Sequence, residues 1–128
     1  MEQWISYGEG EYTVARAFLR VSSGHGVQMD KAVVEVYQDG EGQRQLKGYG
    51  QLVNAQLMAL MDHGDDVDLI LDFAPGHRYC LPAPTIRAGK LFTPGVRASA
   101  HFYPRSPWIP LADPRFQALL EETIFLEE

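Results

Sequence analysis

Asp66-Val67-Asp68-Leu69-Ile70-Leu71-Asp72-Phe73-Ala74-Pro75-Gly76-His77-Arg78-Tyr79-Cys80-Leu81 is the stretch that decides how this chain is read. Val67, Leu69, Leu71 and Phe73 alternate with Asp66, Asp68, Ile70 and Asp72, the period of a strand with one buried face. Pro75 has the φ that a type I turn wants, and Gly76 suits the left-handed position after it. A three-residue loop Ala74-Pro75-Gly76 then pairs Phe73 with His77, Asp72 with Arg78, Leu71 with Tyr79, Ile70 with Cys80 and Leu69 with Leu81. Tyr79 and Leu81 join the apolar row in this register, and Asp72 faces Arg78, so packing and charge agree. A two-residue loop puts Arg78 beside the apolar row instead.

Working outward, Ala32–Gln38 is β-branched and ends at the turn signal Asp39-Gly40-Glu41-Gly42, so Arg44–Val53 is expected to return as a second hairpin arm. Gly48 and Gly50 in that arm mark a bulge or a close backbone approach. Asn54 is placed to cap a short helix, with Leu57, Met58, Leu60 and Met61 as core filler and Gly64 as its stop. Tyr12–Val21 fits either a helix or a strand; its Tyr, Thr, Val and Phe favour the strand. Pro82 and Pro84 end the central hairpin, and Thr85–Gly95 reads as a loop or irregular edge. Val96–Tyr103 is a further strand, with Val96, Ala98, Ala100 and Phe102 on one side and Arg97, Ser99, His101 and Tyr103 on the other. Asp113-Pro114 gives an N-cap and a first-turn proline for a terminal helix whose stripe is Phe116, Leu119, Leu120, Thr123 and Ile124. The expected fold is α+β. It has an antiparallel sheet of about five or six strands, with the mid-chain helix and the C-terminal amphipathic helix packed on one face.

A length of 128 residues suits one domain, residues 1–128, and lets it bury a core without a disulfide or metal staple. The longest apolar run, Leu57 to Met61, is five residues, so no membrane span is expected. The opening residues lack the pattern of a secretory signal, and the single cysteine, Cys80, fits a reducing, cytoplasmic setting. The net charge of −6 makes nucleic acid an unfavoured partner. That charge is uneven. Residues 1–74 carry twelve acidic and five basic side chains, whereas residues 75–112 carry Arg78, Arg87, Lys90, Arg97 and Arg105 and no acid.

The acidic run Asp62, Asp65, Asp66 and Asp68 around His63 lacks the order of a calcium loop and reads as a solvated turn, so no metal is expected. Cys80 lies beside His77 and Arg78, but the hairpin register puts His77 on the opposite face, which removes the base a thiolate nucleophile needs. His101 to Pro110 resembles the His-Phe-Pro loop of hot-dog-fold acyl dehydratases over about ten residues. Tyr103 breaks the spacing, and the chain has only a terminal helix left where that family has a long central helix and several strands. With no phosphate loop, zinc ligand set or nucleophile motif, no catalytic residue and no cofactor is assigned. Arg87, Lys90, Arg97, Ser99, His101, Tyr103 and Arg105 form the expected binding surface, and the expected partner is another protein. The alternative is a small enzyme with a sheet-face pocket around His101, Arg97 and Tyr103.

Overall fold

The computed structural model of the protein describes residues 7–64, 66–88 and 97–126. Ten strands and two helices follow in the order β1 (Gly10–Thr13), β2 (Arg16–Val21), β3 (His25–Gln38), β4 (Arg44–Val53), α1 (Asn54–Met61), β5 (Val67–Ala74), β6 (His77–Leu81), β7 (Thr85–Ala88), β8 (Arg97–Tyr103), β9 (Ile109–Pro110), α2 (Asp113–Glu122) and β10 (Ile124–Phe125). The protein is thus mostly antiparallel sheet with two helices, and the expectation of five or six strands is corrected to ten among the described residues. The extra strands are short edges at β1, β7, β9 and β10, together with an unforeseen first half of β3.

That half of β3 organises the fold. Val27 and Met29 are buried, and so are Ala32, Val34 and Val36, but the two sets are out of phase by one residue. The ladder shifts between Asp30 and Val33, where Lys31 has φ 52°, so a bulge absorbs the extra residue and turns both sets to the same core. The N-terminal half of β3 pairs with β2 and, in parallel, with β10, while the C-terminal half pairs with β4 and β1. The strand order is β7-β8-β4-β3-β2-β5-β6-β9, with β1 and β10 attached to β3. Bent at the bulge, the sheet encloses one core, with Leu46, Leu52, Ala100 and Phe102 from the β4–β8 half and Leu19, Val21, Leu69, Leu71 and Tyr79 from the β2–β5–β6 half.

The central hairpin has the expected pairs from Leu69–Leu81 to Asp72–Arg78. Its end is corrected: Ala74 faces His77, and the register shifts around Phe73. A two-residue Pro75-Gly76 end coexists with the correct faces because that bulge restores the phase. Arg78 Nε donates to Asp72 Oδ1 at 3.0 Å, and the Arg78 guanidinium lies 4.3 Å from the centroid of the Phe116 ring.

The helices do not share a face, contrary to expectation. α1 contacts β3 and β4 and drives Leu57 and Leu60 into the main core. α2 covers the opposite side of the β2–β5–β6 half, where Phe18 and Ile70 are buried beneath Phe116 and Leu119. β2 and β5 are therefore buried on both faces. Asn54 begins α1 without making a side-chain cap, and Met58 and Met61 are 48% and 53% exposed instead of filling the core. Asp113 likewise makes no cap; its Oδ1 accepts from Gly76 N at 2.9 Å and Arg78 Nη1 at 3.2 Å, tying α2 to the hairpin. Ile124 is exposed and pairs with His25 in β10, so it does not extend the helical stripe.

Candidate binding face

β7 and β8 pair Thr85 with Tyr103 and Arg87 with His101, and β8 in turn pairs His101 with Tyr49 and Ser99 with Gln51 of β4. Phe102 and Ala100 are fully buried, so the strand period turns Ser99, His101 and Tyr103 outward. Four of the expected site residues, Arg87, Ser99, His101 and Tyr103, are exposed on the strands of this one face. Of Thr85–Gly95, read as a loop or irregular edge, Thr85–Ala88 is a regular edge strand that brings Arg87 alongside His101, and residues 89–95 lie outside the described residues. The backbone of Arg97 pairs with Val53. The Arg97 side chain, Lys90 and Val96 lie outside the described residues. Arg105 lies past the end of β8, lining a separate hollow of about 210 Å³ with Gln45, Pro104, Ser106 and Pro107.

Tyr49, Lys47 and Glu35 were missed as members of the face. The alternation of Lys47, Tyr49 and Gln51 against Leu46, Gly48, Gly50 and Leu52 held the signal, but which strand lies beside β4 is a long-range fact. Glu35, Lys47, Tyr49, His101 and Tyr103 line a shallow groove of about 350 Å³ floored by Gly48. Tyr49 and Tyr103 are 40% and 38% exposed. The Tyr49 and His101 rings are tilted with centroids 6.0 Å apart, and the Arg87 guanidinium is 5.9 Å from the Tyr103 ring centroid. Lys47 Nζ lies 4.0 Å from Glu35 Oε2 and 4.9 Å from the Tyr37 ring centroid.

The other sequence clusters resolve differently. Cys80 packs under α2 beside Asp68, Arg20 and Arg115, and burial, followed by the Asp68 charge, pushes its thiol up to about 11. It is the opposite of an activated thiolate. Asp68 Oδ1 accepts from Ala83 N at 3.0 Å, and His63 stacks on His25 with centroids 3.8 Å apart. Among the described residues no group of three or more metal-ligating side chains comes together. No described helix is long and apolar enough to cross a membrane.

No family model, curated protein or solved structure matches the chain.

Proposed function

We propose that this is a non-catalytic protein-binding module, of the inhibitor, immunity or adaptor kind, that uses the outer face of β7, β8 and β4 on an acidic partner surface. One observation carries the reading: Arg87, His101, Tyr103 and Tyr49 are exposed side by side, and the first three come from the acid-free stretch 75–112. Tyrosine supplies a large, rigid contact area and arginine a planar fork of donors that pairs with carboxylates, and both are enriched in protein-binding hot spots. The enzyme alternative fares less well on the same geometry. His101 is exposed with a tyrosine ring beside it, and the carboxylate of the groove, Glu35, is engaged by Lys47. A general base works best where a partner orients it and water is kept out. The single, unpaired and half-buried Cys80 suits a reducing compartment, and we assign the module to the cytoplasm on that ground.

The test is a titration of the Arg87→Ala/His101→Ala double variant against the partner captured on the immobilised chain. Affinity is expected to fall by about 2 kcal/mol, roughly thirtyfold, with the circular dichroism spectrum unchanged. Both side chains point away from the core, so folding has no reason to fail. Unaltered affinity in the folded variant overturns the assignment of this face, and loss of a measurable turnover with retained ligand affinity favours the enzyme.

A further inference from the structure

α1 is apolar on its outer side as well as its inner one. The run Leu57 to Met61 winds round the helix, so Leu57 and Leu60 enter the main core, while Met58 and Met61, each one residue further on, face outward. These two methionines are 48% and 53% exposed, and three residues apart they are neighbours on the helix surface. A surface helix ordinarily carries polar residues on that side. The other sulfur atoms of the described residues are sheltered. Met29 is 4% exposed in the core, where its Cγ and Sδ fill the space over Gly50, and Cys80 packs beneath α2. The fold therefore presents two thioethers side by side and covers the remaining described sulfurs.

We propose that Met58 and Met61 form a reversible oxidation site for hydroperoxides on the outer side of α1. The sulfur lone pair attacks one oxygen of hydrogen peroxide, the O–O bond breaks and the S–O bond of a sulfoxide forms. Sulfur is oxidised and the peroxide reduced; the departing hydroxide takes the proton of the transferred hydroxyl and leaves as water. A thioether has no proton to lose, so this step needs no neighbouring base. A thiol reacts through its thiolate, and the Cys80 thiol is pushed up to about 11, chiefly by burial. Sulfoxidation makes the outer side of α1 polar and leaves Leu57 and Leu60 in the core, so the helix acquires the two-sided pattern that its sequence lacks. The same change at Met29 would put a sulfoxide oxygen into apolar surroundings. Exposure also admits a methionine sulfoxide reductase, so the modification can be undone on the folded chain.

The probe is hydrogen peroxide itself, added to the folded full chain at neutral pH, with oxygen uptake at each methionine followed by peptide mass spectrometry. Met58 and Met61 are expected to oxidise about tenfold faster than Met29, because exposure sets the order among thioethers. Cys80 is expected to stay free for alkylation after unfolding. The urea midpoint of the chain oxidised at both positions is expected to match that of the untreated chain. Two methionine sulfoxide reductases, one for each sulfoxide epimer, are expected to restore both residues without denaturant. Oxidation of the pair as slow as that of Met29, which a partner or a second copy seated on α1 would also produce, overturns the proposal. Loss of Cys80 before the pair, or unfolding that accompanies oxidation of the pair, overturns it too. Reduction that succeeds only on the denatured chain overturns its reversibility. None of these outcomes bears on the Arg87–His101 face, which the double variant tests separately.

Discussion

The Phe102 ring lies directly over Gly48, on the neighbouring strand, and occupies the space a side chain at that position would need. A Cβ on Gly48 would collide with the ring Cζ and stand 2.5 Å from the Val33 carbonyl oxygen. Neither neighbour can yield cheaply: Phe102 is fully buried and Val33 belongs to the β3 ladder. Gly48→Ala is therefore expected to lower stability by about 3 kcal/mol, at the upper end of overpacking costs. At Gly50 the obstructing atoms are the Cγ and Sδ of Met29, a flexible side chain, so Gly50→Ala is expected to cost less. Urea denaturation of the two variants checks the order, and equal losses would show that the ring can move aside.

Arg78 joins the central hairpin to α2 through Asp72, Asp113 and the face of Phe116, with its side chain only 16% exposed. Arg78→Ala strips the partner from Asp72, itself 14% exposed, and is expected to cost about 3 kcal/mol. Adding Asp72→Ala to that variant is expected to recover part of the loss, because the uncompensated carboxylate is then gone. A double-mutant cycle by thermal or urea unfolding measures the coupling. Strict additivity would show that Arg78 and Asp72 are not coupled and that the arginine acts through Asp113 and its packing on Phe116.

How much of the fold is legible in the sequence depends on the range of the contact. The Asp72–Arg78 pair, the core strand and the outward row Ser99, His101 and Tyr103 followed from local alternation, because a two-residue period and one turn fix a register. The first half of β3 was hidden because Asp30 and Lys31 interrupt that period; a bulge repairs the phase, and bulges leave no local sequence period. The exposure of Met58 and Met61 depended on which side of α1 meets β3 and β4, a tertiary choice that an eight-residue apolar helix does not declare. The same limit applies to the sites. Arg87 and His101 were named from charge and alternation, but Tyr49 joins them only through the β4–β8 ladder. The Tyr7 ring meets Phe73, Tyr79 and Trp108 from distant parts of the chain, and packing at that sequence distance has no local signature.

Asp39 holds the β3–β4 turn. Its Oδ1 accepts from Glu41 N at 2.8 Å and Gln43 N at 3.0 Å, and its Oδ2 accepts from Gln45 Nε2 at 3.0 Å. The backbone donor at Glu41, then the Gln45 side chain and the Gln43 donor, hold its carboxyl below the ordinary 3.8. Because the folded value is depressed, the turn's stabilisation is present above the ordinary carboxylate range and is lost as pH falls through the lower folded value. In an NMR pH titration the Glu41 and Gln43 amide shifts are expected to report a midpoint below 3.8. Asp39→Ala is expected to broaden or shift both amides at neutral pH. A midpoint at or above the ordinary value would mean that the turn is open in solution.

Cys80 supplies the prediction with the clearest sign. Its thiol packs between Ile70 and the α2 side chains, and burial first, then the Asp68 charge, raises it from an ordinary 9.0 to about 11. A protonated thiol is a poor nucleophile, so native protein at pH 8 is expected to react with iodoacetamide far more slowly than urea-unfolded protein, with the native rate climbing only toward pH 11. Asp68→Asn is expected to speed the native reaction modestly, since desolvation remains. The same shift makes a statement about stability. Between about pH 9 and 11 the unfolded chain releases the proton that the folded chain retains, so the contribution is fully present below pH 9 and falls as pH rises through that window. The comparison with Cys80→Ala isolates the thiol from every other group: the variant is expected to lose less stability than the parent chain from pH 9 to 11. Rapid alkylation of the native chain at pH 8, or parallel pH profiles for the two proteins, would show that the thiol is open to water and that α2 does not seal the face beneath it.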